Sequence, residues 1–329
     1  SGSGTAASGR WFTLSTLVGA AWEENRVAEI LTKALSLVLI VAIGYGIKRL
    51  GWVKASDFGI FSKLVLRVTL PCALATSFNS YDLVPALASL VVIGFVVNLG
   101  QQVVGYWLNR RNGPRAKAFG VFHSGTYNIG AFSMPYISGF MGAPAMVHTA
   151  MFDVGNSLAS AGVGYGWGMS MVDQSKRTTV VSFLRIVFSS PIFVTYLVLV
   201  AMRSANLTLP DPVIVFTSTV GAANPFLAML MIGIGLEIRL HRSKLTRAAK
   251  YLALRYTFAI VLALGIWFTL PLTHDIKLVL VMLLFAPVAS MVAGFSEEAG
   301  LDVETSAFIT SVTILVAIVV MPAILLTLG

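Results

Sequence analysis

The sequence predicts an all-α polytopic membrane protein built from ten transmembrane helices. The first observation is composition: 57% of the 329 residues are hydrophobic and only 11% are charged, whereas a soluble domain carries about 25% charged residues. The second is that the apolar residues fall in long runs, with a mean hydropathy of +0.84. The third is that Lys and Arg are concentrated in the short loops between those runs. A soluble domain with a large core does not account for runs that are both long and numerous.

Residues 1–28 are predicted to form a lead-in before the first span. The opening SGSGTAASG is small and polar, as in a linker or a disordered segment. The next stretch, WFTLSTLVGAAW at 11–22, is apolar but covers only about half a membrane thickness. We expect it to lie in the membrane interface, with Trp11 and Trp22 as anchors.

The remaining chain contains ten runs long enough to cross a membrane, which takes about 20 mainly apolar residues. The runs are 30–50, 58–79, 83–108, 115–140, 144–171, 179–202, 211–236, 248–270, 275–297 and 303–328. We therefore expect two five-helix units, residues 29–172 and 179–329. A short cytoplasmic loop at 173–178 joins them.

Basic residues lie mainly in the loops that follow the odd-numbered spans. These residues are Lys48, Arg49, Lys54, Arg110, Arg111, Arg115, Lys117, Lys176, Arg177, Arg239, Arg242, Lys244, Arg247 and Lys250. Since cytoplasmic loops carry the excess of positive charge, both termini are predicted to lie outside. The same pattern explains the net charge of +9 without nucleic acid as a partner. Three arginines inside spans are expected to snorkel to the interface: Arg67, Arg185 and Arg255.

Ten spans with both ends on one side divide into five plus five, so the second half must enter from the opposite side, as in an inverted repeat. Helix-breaking residues recur at corresponding positions of the two halves. Span 2 carries VTLPCALATS and span 7 carries VGAANPFLAM, while span 4 carries YNIGAFSMP and span 9 carries FAPVASMVAG. Such paired interruptions indicate the binding site of a transporter.

The interruption in span 4 is the strongest candidate for a substrate site. Pro135 removes a backbone donor and Gly130 adds flexibility, so the freed backbone groups must be buried in protein or line a watery cavity. A half-helix N-terminus there would favour a carboxylate, and Asn128 can donate and accept beside it. The predicted substrate-binding residues are Pro71, Tyr127, Asn128, Ile129, Gly130, Ser133, Pro135, Asn224, Pro287 and Ser290. The alternative is a packing kink satisfied by neighbouring helices.

Ionisable residues inside the spans are candidates for ion coupling. Asp153 lies well within span 5, and Asn156 shares its helix face. Asp153 could exchange a proton during transport, or it could help Asn156 and backbone oxygens to hold Na⁺. A structural role beside an Arg or the backbone is the alternative. His123 could respond to pH, or it could be part of hydrogen-bonded packing.

Four segments resemble the auxin efflux carrier family, the bacterial and plant carriers of organic anions. They are FSKLVLRVTLPCALATSF, GTYNIGAFSMPYISGFMG, FDVGNSLAS and NPFLAMLMIGIGLEI, in this order along the chain. The resemblance covers nearly everything after residue 30. It implies a five-plus-five inverted repeat in which helices 4 and 9 are broken where they cross, as in the related fold of the bile-acid sodium symporters.

The resemblance also carries expectations about the site and the substrate. The family's Asn at the crossing in helix 4 corresponds to Asn128. Plant carriers have an Asn near the break in helix 9, whereas this chain has APVAS, so Ser290 or backbone amides are the candidates there. The short DQSKRTT loop is similar to that of bacterial members, which implies the inner membrane. Malate, malonate or auxin-like acids are the implied substrates, and a homodimer is compatible with the family.

The sequence offers no chemistry for an enzyme. It contains no placed Ser–His pair, no paired Asp motif, no HExxH and no Walker A motif. We therefore predict a secondary carrier of small organic anions with no catalytic residue, no cofactor and no metal site. The coupling ion would be H⁺ or Na⁺. Two alternatives remain: a membrane sensor or receptor on a transporter-like fold, and a Na⁺-coupled symporter similar to the bile-acid carriers.

Overall fold

The structure is a computed structural model that describes residues 6–82, 84–173 and 179–329. Within these ranges the chain forms helices, turns and loops, with no strand. The α-helices are α1 (Ala6–Arg49), α2 (Phe58–Leu64), α3 (Leu70–Asn79), α4 (Ala86–Leu108), α5 (Gly113–Ser124), α6 (Met134–Ser157), α7 (Tyr165–Val172), α8 (Val180–Phe188), α9 (Pro191–Ser204), α10 (Asp211–Ala222), α11 (Asn224–Gly235), α12 (Leu245–Thr269), α13 (His274–Leu284), α14 (Met291–Glu298) and α15 (Val303–Leu328).

In the described ranges, six helical segments are long and apolar enough to cross a membrane. They are Asn25–Arg49, Ala55–Asn79, Ala86–Leu108, Asp211–Gly235, Arg242–Thr269 and Val303–Leu328. The fold is therefore that of an all-helical, polytopic membrane protein. The other four predicted spans contain shorter helices separated by breaks or kinks, and these breaks lie at the candidate site.

The N-terminal lead-in differs from a linker because α1 is already helical from Ala6 and runs without interruption to Arg49. Residues 1–5 of that predicted segment lie outside the described residues. So do Leu83, at the start of span 3, and residues 174–178 of the predicted cytoplasmic loop with Lys176 and Arg177. The division at 173–178 stays a prediction.

Prolines in spans 2 and 4 follow π turns instead of breaking the helix. The π turn Val65–Thr69 ends two residues before Pro71, and Ile129–Ser133 ends two residues before Pro135. A local π adjustment satisfies the backbone groups that a proline frees. The break in span 4 therefore lies before Gly130 and Pro135, over 125–128, and the expectation that Pro135 causes it was wrong. The break in span 9 includes Pro287, as predicted.

The outer surface of the bundle is apolar. On α1, the side chains Leu31, Leu35, Leu39 and Ile43 recur every four residues and each is more than half exposed. An exposed stripe of this kind is a liability in water but suits contact with lipid chains. The face of α1 that carries it is thus a membrane-facing surface.

Small residues allow the closest helix crossings. A Cβ at Gly44 of α1 would overlap the carbonyl oxygen of Leu230 in α11, and one at Gly233 would overlap that of Val41. The same relation holds between Gly94 of α4 and α6. Small residues at crossings are the usual means by which helices pack in lipid. These contacts hold the scaffold around the two broken segments.

Candidate functional site

The two broken segments meet in the structure. The backbone amide of Asn128 donates to the carbonyl of Pro287 at 2.8 Å, and Asn128 Nδ2 donates to Ser290 Oγ at 3.0 Å. These hydrogen bonds join residues that are far apart in the sequence. The break before α6 and the break before α14 are thus one structural unit, called the crossing below.

Two helical segments begin at the crossing, and both begin beside the same cavity. Asn128 precedes the π turn that leads into α6, and Ser290 precedes α14; neither side chain caps its own helix. The first-turn amides of such segments lack intrahelical partners and carry partial positive charge. The crossing therefore presents two positive helix ends together, a geometry suited to an anion.

A cavity of about 370 Å³ opens beside these helix ends. Its volume lies within the range of small-molecule sites. The polar lining consists of Tyr127, Asn128, Asp153, Asn156, Ser157, Ser62, Ser190 and Ser290, together with the backbone of Ile129 and Gly130. The facing wall is apolar and includes Phe58, Leu66, Val187, Ile192 and Phe193. A ligand with one charged end and an apolar body matches this division.

Arg255 closes the opposite side of the crossing. Its guanidinium donates to the carbonyl of Ser124, the last residue of α5, at 3.2 Å and to that of Ala286, just after α13, at 2.8 Å. Its Cζ lies 4.5 Å from the centre of the Tyr127 ring. Helix C-termini carry partial negative charge, so a buried cation there is stabilised. Positive charge thus surrounds the crossing on both sides.

The position of Arg255 corrects one expectation. The side chain is only 2% exposed and does not snorkel to the interface. It lies mid-way along α12, in the packed interior where α5 and α13 end. Arg67 and Arg185, by contrast, are exposed, and neither lines the cavity.

Asp153 lies in the cavity wall and is held by two donors. Its Oδ1 accepts from Asn156 Nδ2 at 2.8 Å, and its Oδ2 accepts from the hydroxyl of Tyr196 at 2.8 Å. Asp153 is 5% exposed. The carboxyl group therefore faces the candidate site, and its hydrogen-bond partners among the described residues are the neutral groups of Asn156 and Tyr196.

Asn156 connects Asp153 to the break. Its side-chain amide donates to the carbonyl of Tyr127 at 3.1 Å and accepts from the Tyr127 amide at 3.3 Å. From α4, Asn98 Nδ2 donates to Asn156 Oδ1 at 2.6 Å, and Gln102 donates to Asn98. The backbone groups freed at the break are thus satisfied by side chains of α4, α6 and α12, as buried polar groups require.

The structure brings together only part of the predicted site. The cavity is lined by Tyr127, Asn128, Ile129, Gly130, Ser290, Asp153 and Asn156. Ser133 and Pro287 support it from behind, because each hydrogen-bonds the backbone of Asn128. Pro71, Pro135 and Asn224 do not line it. Asn224 instead accepts from Thr69 at 2.9 Å, where span 2 crosses span 7.

His123 also lies outside the cavity. Its Nδ1 is 2.8 Å from the carbonyl of Phe119, its Nε2 is 2.8 Å from Ser306 Oγ, and its ring stacks on Phe119. Both ring nitrogens therefore form hydrogen bonds inside the protein, and the ring itself is packed. A role for His123 in ion coupling stays a prediction.

Sequence reasoning missed several polar residues of this site, both in the cavity lining (Ser62, Ser157 and Ser190) and in the network around it (Arg255, Asn98 and Tyr196). Arg255 carried a signal, since a charge inside a span is a functional candidate, but its depth could not be judged from an uncertain span boundary. Asn98 lies inside an apolar run and could have been found by the same rule. Tyr196 carried no signal, because an aromatic residue in an apolar run is ordinary.

Comparisons with known proteins find similarity to transporters. A family model described as "Membrane transport protein" matches residues 29–220, more than half of the chain. A protein of Methanothermobacter thermautotrophicus named "Uncharacterized transporter" is 25% identical over 275 residues, which cover 82% of this chain and 89% of the relative. Both matches include the segment before α6 that forms one half of the crossing.

Proposed function

The chain belongs to the auxin efflux carrier family of membrane transport proteins, and from this premise we propose that it is a secondary carrier of small organic anions that works by alternating access around the crossing. The family is one of transporters and not of enzymes. The substrate class and the mechanism are the proposal, and the geometry of the crossing supports them.

The single observation that carries the proposal is the charge arrangement at the crossing. Two helix N-termini and the Asn128 amide face the cavity, while Arg255 neutralises the helix C-termini on the far side. The negative ends of the broken helices are thereby masked, and the positive ends are left facing the cavity. A carboxylate is the ligand that this arrangement favours.

The proposed architecture is ten transmembrane helices arranged as a five-plus-five inverted repeat, with helices 4 and 9 as the broken pair. The support is that the breaks before α6 and α14 fall in the two predicted spans that correspond between the halves. Ten helices place both termini on the same side of the membrane, and the basic loops after the odd-numbered spans assign that side as outside. The short loop implied by the resemblance favours a bacterial inner membrane.

Asp153 supplies a reason for proton coupling. A carboxylate substrate at Asn128 and an ionised Asp153 would lie in one cavity and repel each other. Protonation of Asp153 removes this repulsion, and Tyr196 and Asn156 remain as hydrogen-bonding partners. We propose that one proton accompanies the anion. Na⁺ is not needed to remove this repulsion.

The proposed substrates are small carboxylates such as malate, malonate or auxin-like acids. The cavity volume of about 370 Å³ is large enough for all of these. The apolar wall formed by Ile192, Phe193 and their neighbours favours an acid with an apolar body over a second charged group. A monocarboxylate is therefore expected to bind more tightly than a dicarboxylate of similar size.

A thermal-shift panel on the purified protein tests the proposal. Mono- and dicarboxylates, bile-acid-like anions, amino acids and neutral compounds are compared with and without Na⁺ at two pH values. A ligand at 100 times its dissociation constant stabilises a folded protein by about 2.7 kcal/mol. We expect a carboxylate-selective shift that is lost in Asn128→Ala. Asn25→Ala, the same change at an exposed position of α1, should keep the shift.

Two results would contradict the proposal. The first is carboxylate affinity that is unchanged in Asn128→Ala, which would remove Asn128 from the binding site. The second is a shift with neutral or cationic ligands alone, which would overturn the substrate class while leaving the family intact.

A further inference from the structure

A second, larger cavity lies on the face that carries the basic loops. Its volume is about 760 Å³, and it is bounded by the start of α5, the start of α12 and the turn between α14 and α15. It shares no lining residue with the cavity at the crossing. It is thus a separate site, and the transport proposal makes no use of it.

Three cations and one carboxylate line this basic cavity. Arg115 comes from α5, Arg247 and Lys250 come from α12, and Asp302 precedes α15. Asp302 is already engaged, because Lys244 donates to it at 2.9 Å, Arg247 at 3.5 Å and Thr305 Oγ1 at 2.8 Å. Partial burial favours the protonated form of Asp302, but the hydrogen bonds from Lys244 and Thr305 outweigh it and hold the pKa of Asp302 below its usual value.

The other two cations have no such partner. In the part of the chain that the structure describes, the side chains of Arg115 and Lys250 make no ion pair with an acidic residue. Both are exposed at the cavity. The lining therefore carries a net positive charge that no acidic side chain within the described ranges balances.

Two helices, α5 and α12, also begin at this cavity. Asn112 and Arg115 belong to the first turn region of α5, and Thr246 and Arg247 belong to that of α12. Neither helix has a side-chain cap on its first amides. Free amides at a helix N-terminus add partial positive charge and hydrogen-bond donors to those of the cations. Guanidinium and ammonium groups beside helix N-termini are the usual donors to phosphate.

We propose that the basic cavity binds a phosphate-bearing anion. Its volume is well beyond what a simple inorganic ion needs, and a multiply charged phosphate group matches the unbalanced charge of the lining. The aromatic rings of Tyr251 and Phe119 also line the cavity. The ligand can therefore carry a further group, beyond the phosphate, that packs against these rings. The phosphate comes from a lipid headgroup or from a soluble phosphate compound, and the experiment separates these sources.

The location of the basic cavity suggests how an anion bound there would affect the crossing. α5 begins at the basic cavity and ends at Ser124, and α12 begins there and carries Arg255. An anion held between the starts of α5 and α12 would hold these two helices in place, and both helices support the crossing. Binding is therefore expected to raise the unfolding temperature of the whole protein.

The test measures binding by the full chain in two arms. In the first, ATP and pyrophosphate are titrated into protein in a neutral detergent, with thermal unfolding as the readout. In the second, protein in nanodiscs of phosphatidylcholine, with or without phosphatidylglycerol, is released for native mass spectrometry to count retained lipids. The variant is Arg115→Gln/Lys250→Gln. The control is Lys54→Gln/Arg111→Gln, which removes the same charge from exposed positions outside the cavity.

Saturable binding in the first arm that weakens about a hundredfold in the double variant, or about tenfold for each of the two cations, supports a soluble phosphate ligand. Retained phosphatidylglycerol that is lost in the same variant supports a lipid headgroup. The control should behave as the unmodified protein in either case. Absence of binding in both arms, or equal loss in the control, overturns the proposal. None of these readouts involves carboxylate transport, so failure here is distinct from failure of the proposed function.

Discussion

At the scale of single residues, the site depends on a few polar side chains that satisfy the broken backbone. Asn128 and Ser290 join the two segments, Asn156 holds the backbone of Tyr127, and Arg255 takes the carbonyls on the far side. These side chains replace the backbone hydrogen bonds that a continuous helix would form internally. In the proposed carrier, the same groups would serve both stability and binding.

Replacement of Arg255 should show both roles. Arg255→Met leaves the carbonyls of Ser124 and Ala286 without donors in the protein interior, and an unsatisfied buried group costs about 1–3 kcal/mol. We expect a lower unfolding temperature and weaker carboxylate binding, with partial recovery in Arg255→Lys. Arg185→Met, at an exposed position, is the control. Equal unfolding temperatures and equal carboxylate affinities for Arg255→Met and Arg185→Met would show that Arg255 has neither role.

Replacement of Asp153 tests proton coupling. Asp153→Asn keeps the shape and the partner Tyr196 but cannot exchange a proton. Carboxylate binding should then lose its dependence on pH, and it should resemble that of the unmodified protein at low pH. The measurement is a binding titration at several pH values between 5 and 8. If the variant keeps the full pH dependence, Asp153 is not the coupling group.

At the scale of helices, the sequence predicted the two breaks but misplaced one of them. Pro287 lies in the break of span 9, whereas Pro135 follows the π turn Ile129–Ser133, which accommodates it without a break. The break over 125–128 depends instead on partners from α4, α6 and α12. Such partners are distant in the sequence, so no local pattern around Asn128 could reveal them.

Close helix crossings give a prediction at this scale. Gly44→Leu would place a side chain against the backbone of α11, where no flexible group can move aside, and overpacking costs about 1–3 kcal/mol. Gly46→Leu, on the same helix, meets nothing within 4 Å. We expect the first variant to lower the unfolding temperature and the second to leave it nearly unchanged. Equal values would mean that α1 and α11 do not pack as described.

At the scale of the whole molecule, composition and apolar runs were enough for the membrane class and the all-helical fold. The arrangement of the runs required more, because six of the described segments are long and apolar enough to cross a membrane, whereas the other predicted spans contain shorter helices. The interrupted segments are the ones for which hydropathy says least about the path of the backbone. They are also the ones that build the crossing.

Topology can be tested with single cysteines in a Cys72→Ser background. The account places Asn112 on the cytoplasmic side and Asn206 outside, since they lie in loops on opposite sides of the ten-span arrangement. A membrane-impermeant thiol reagent applied to intact cells should label Asn206→Cys and not Asn112→Cys. Labelling of both residues, or of Asn112→Cys alone, would contradict the assigned topology.

The central claim is that the protein binds a carboxylate at the crossing and carries it across the membrane. The direct measurement is uptake of radiolabelled malonate, malate and indole-3-acetate by proteoliposomes, with an inward proton gradient and without one. The account predicts saturable uptake of at least one of these acids, strong loss in Asn128→Ala and normal uptake in Asn25→Ala. Uptake that is equal in Asn128→Ala and in the unmodified protein would contradict the claim.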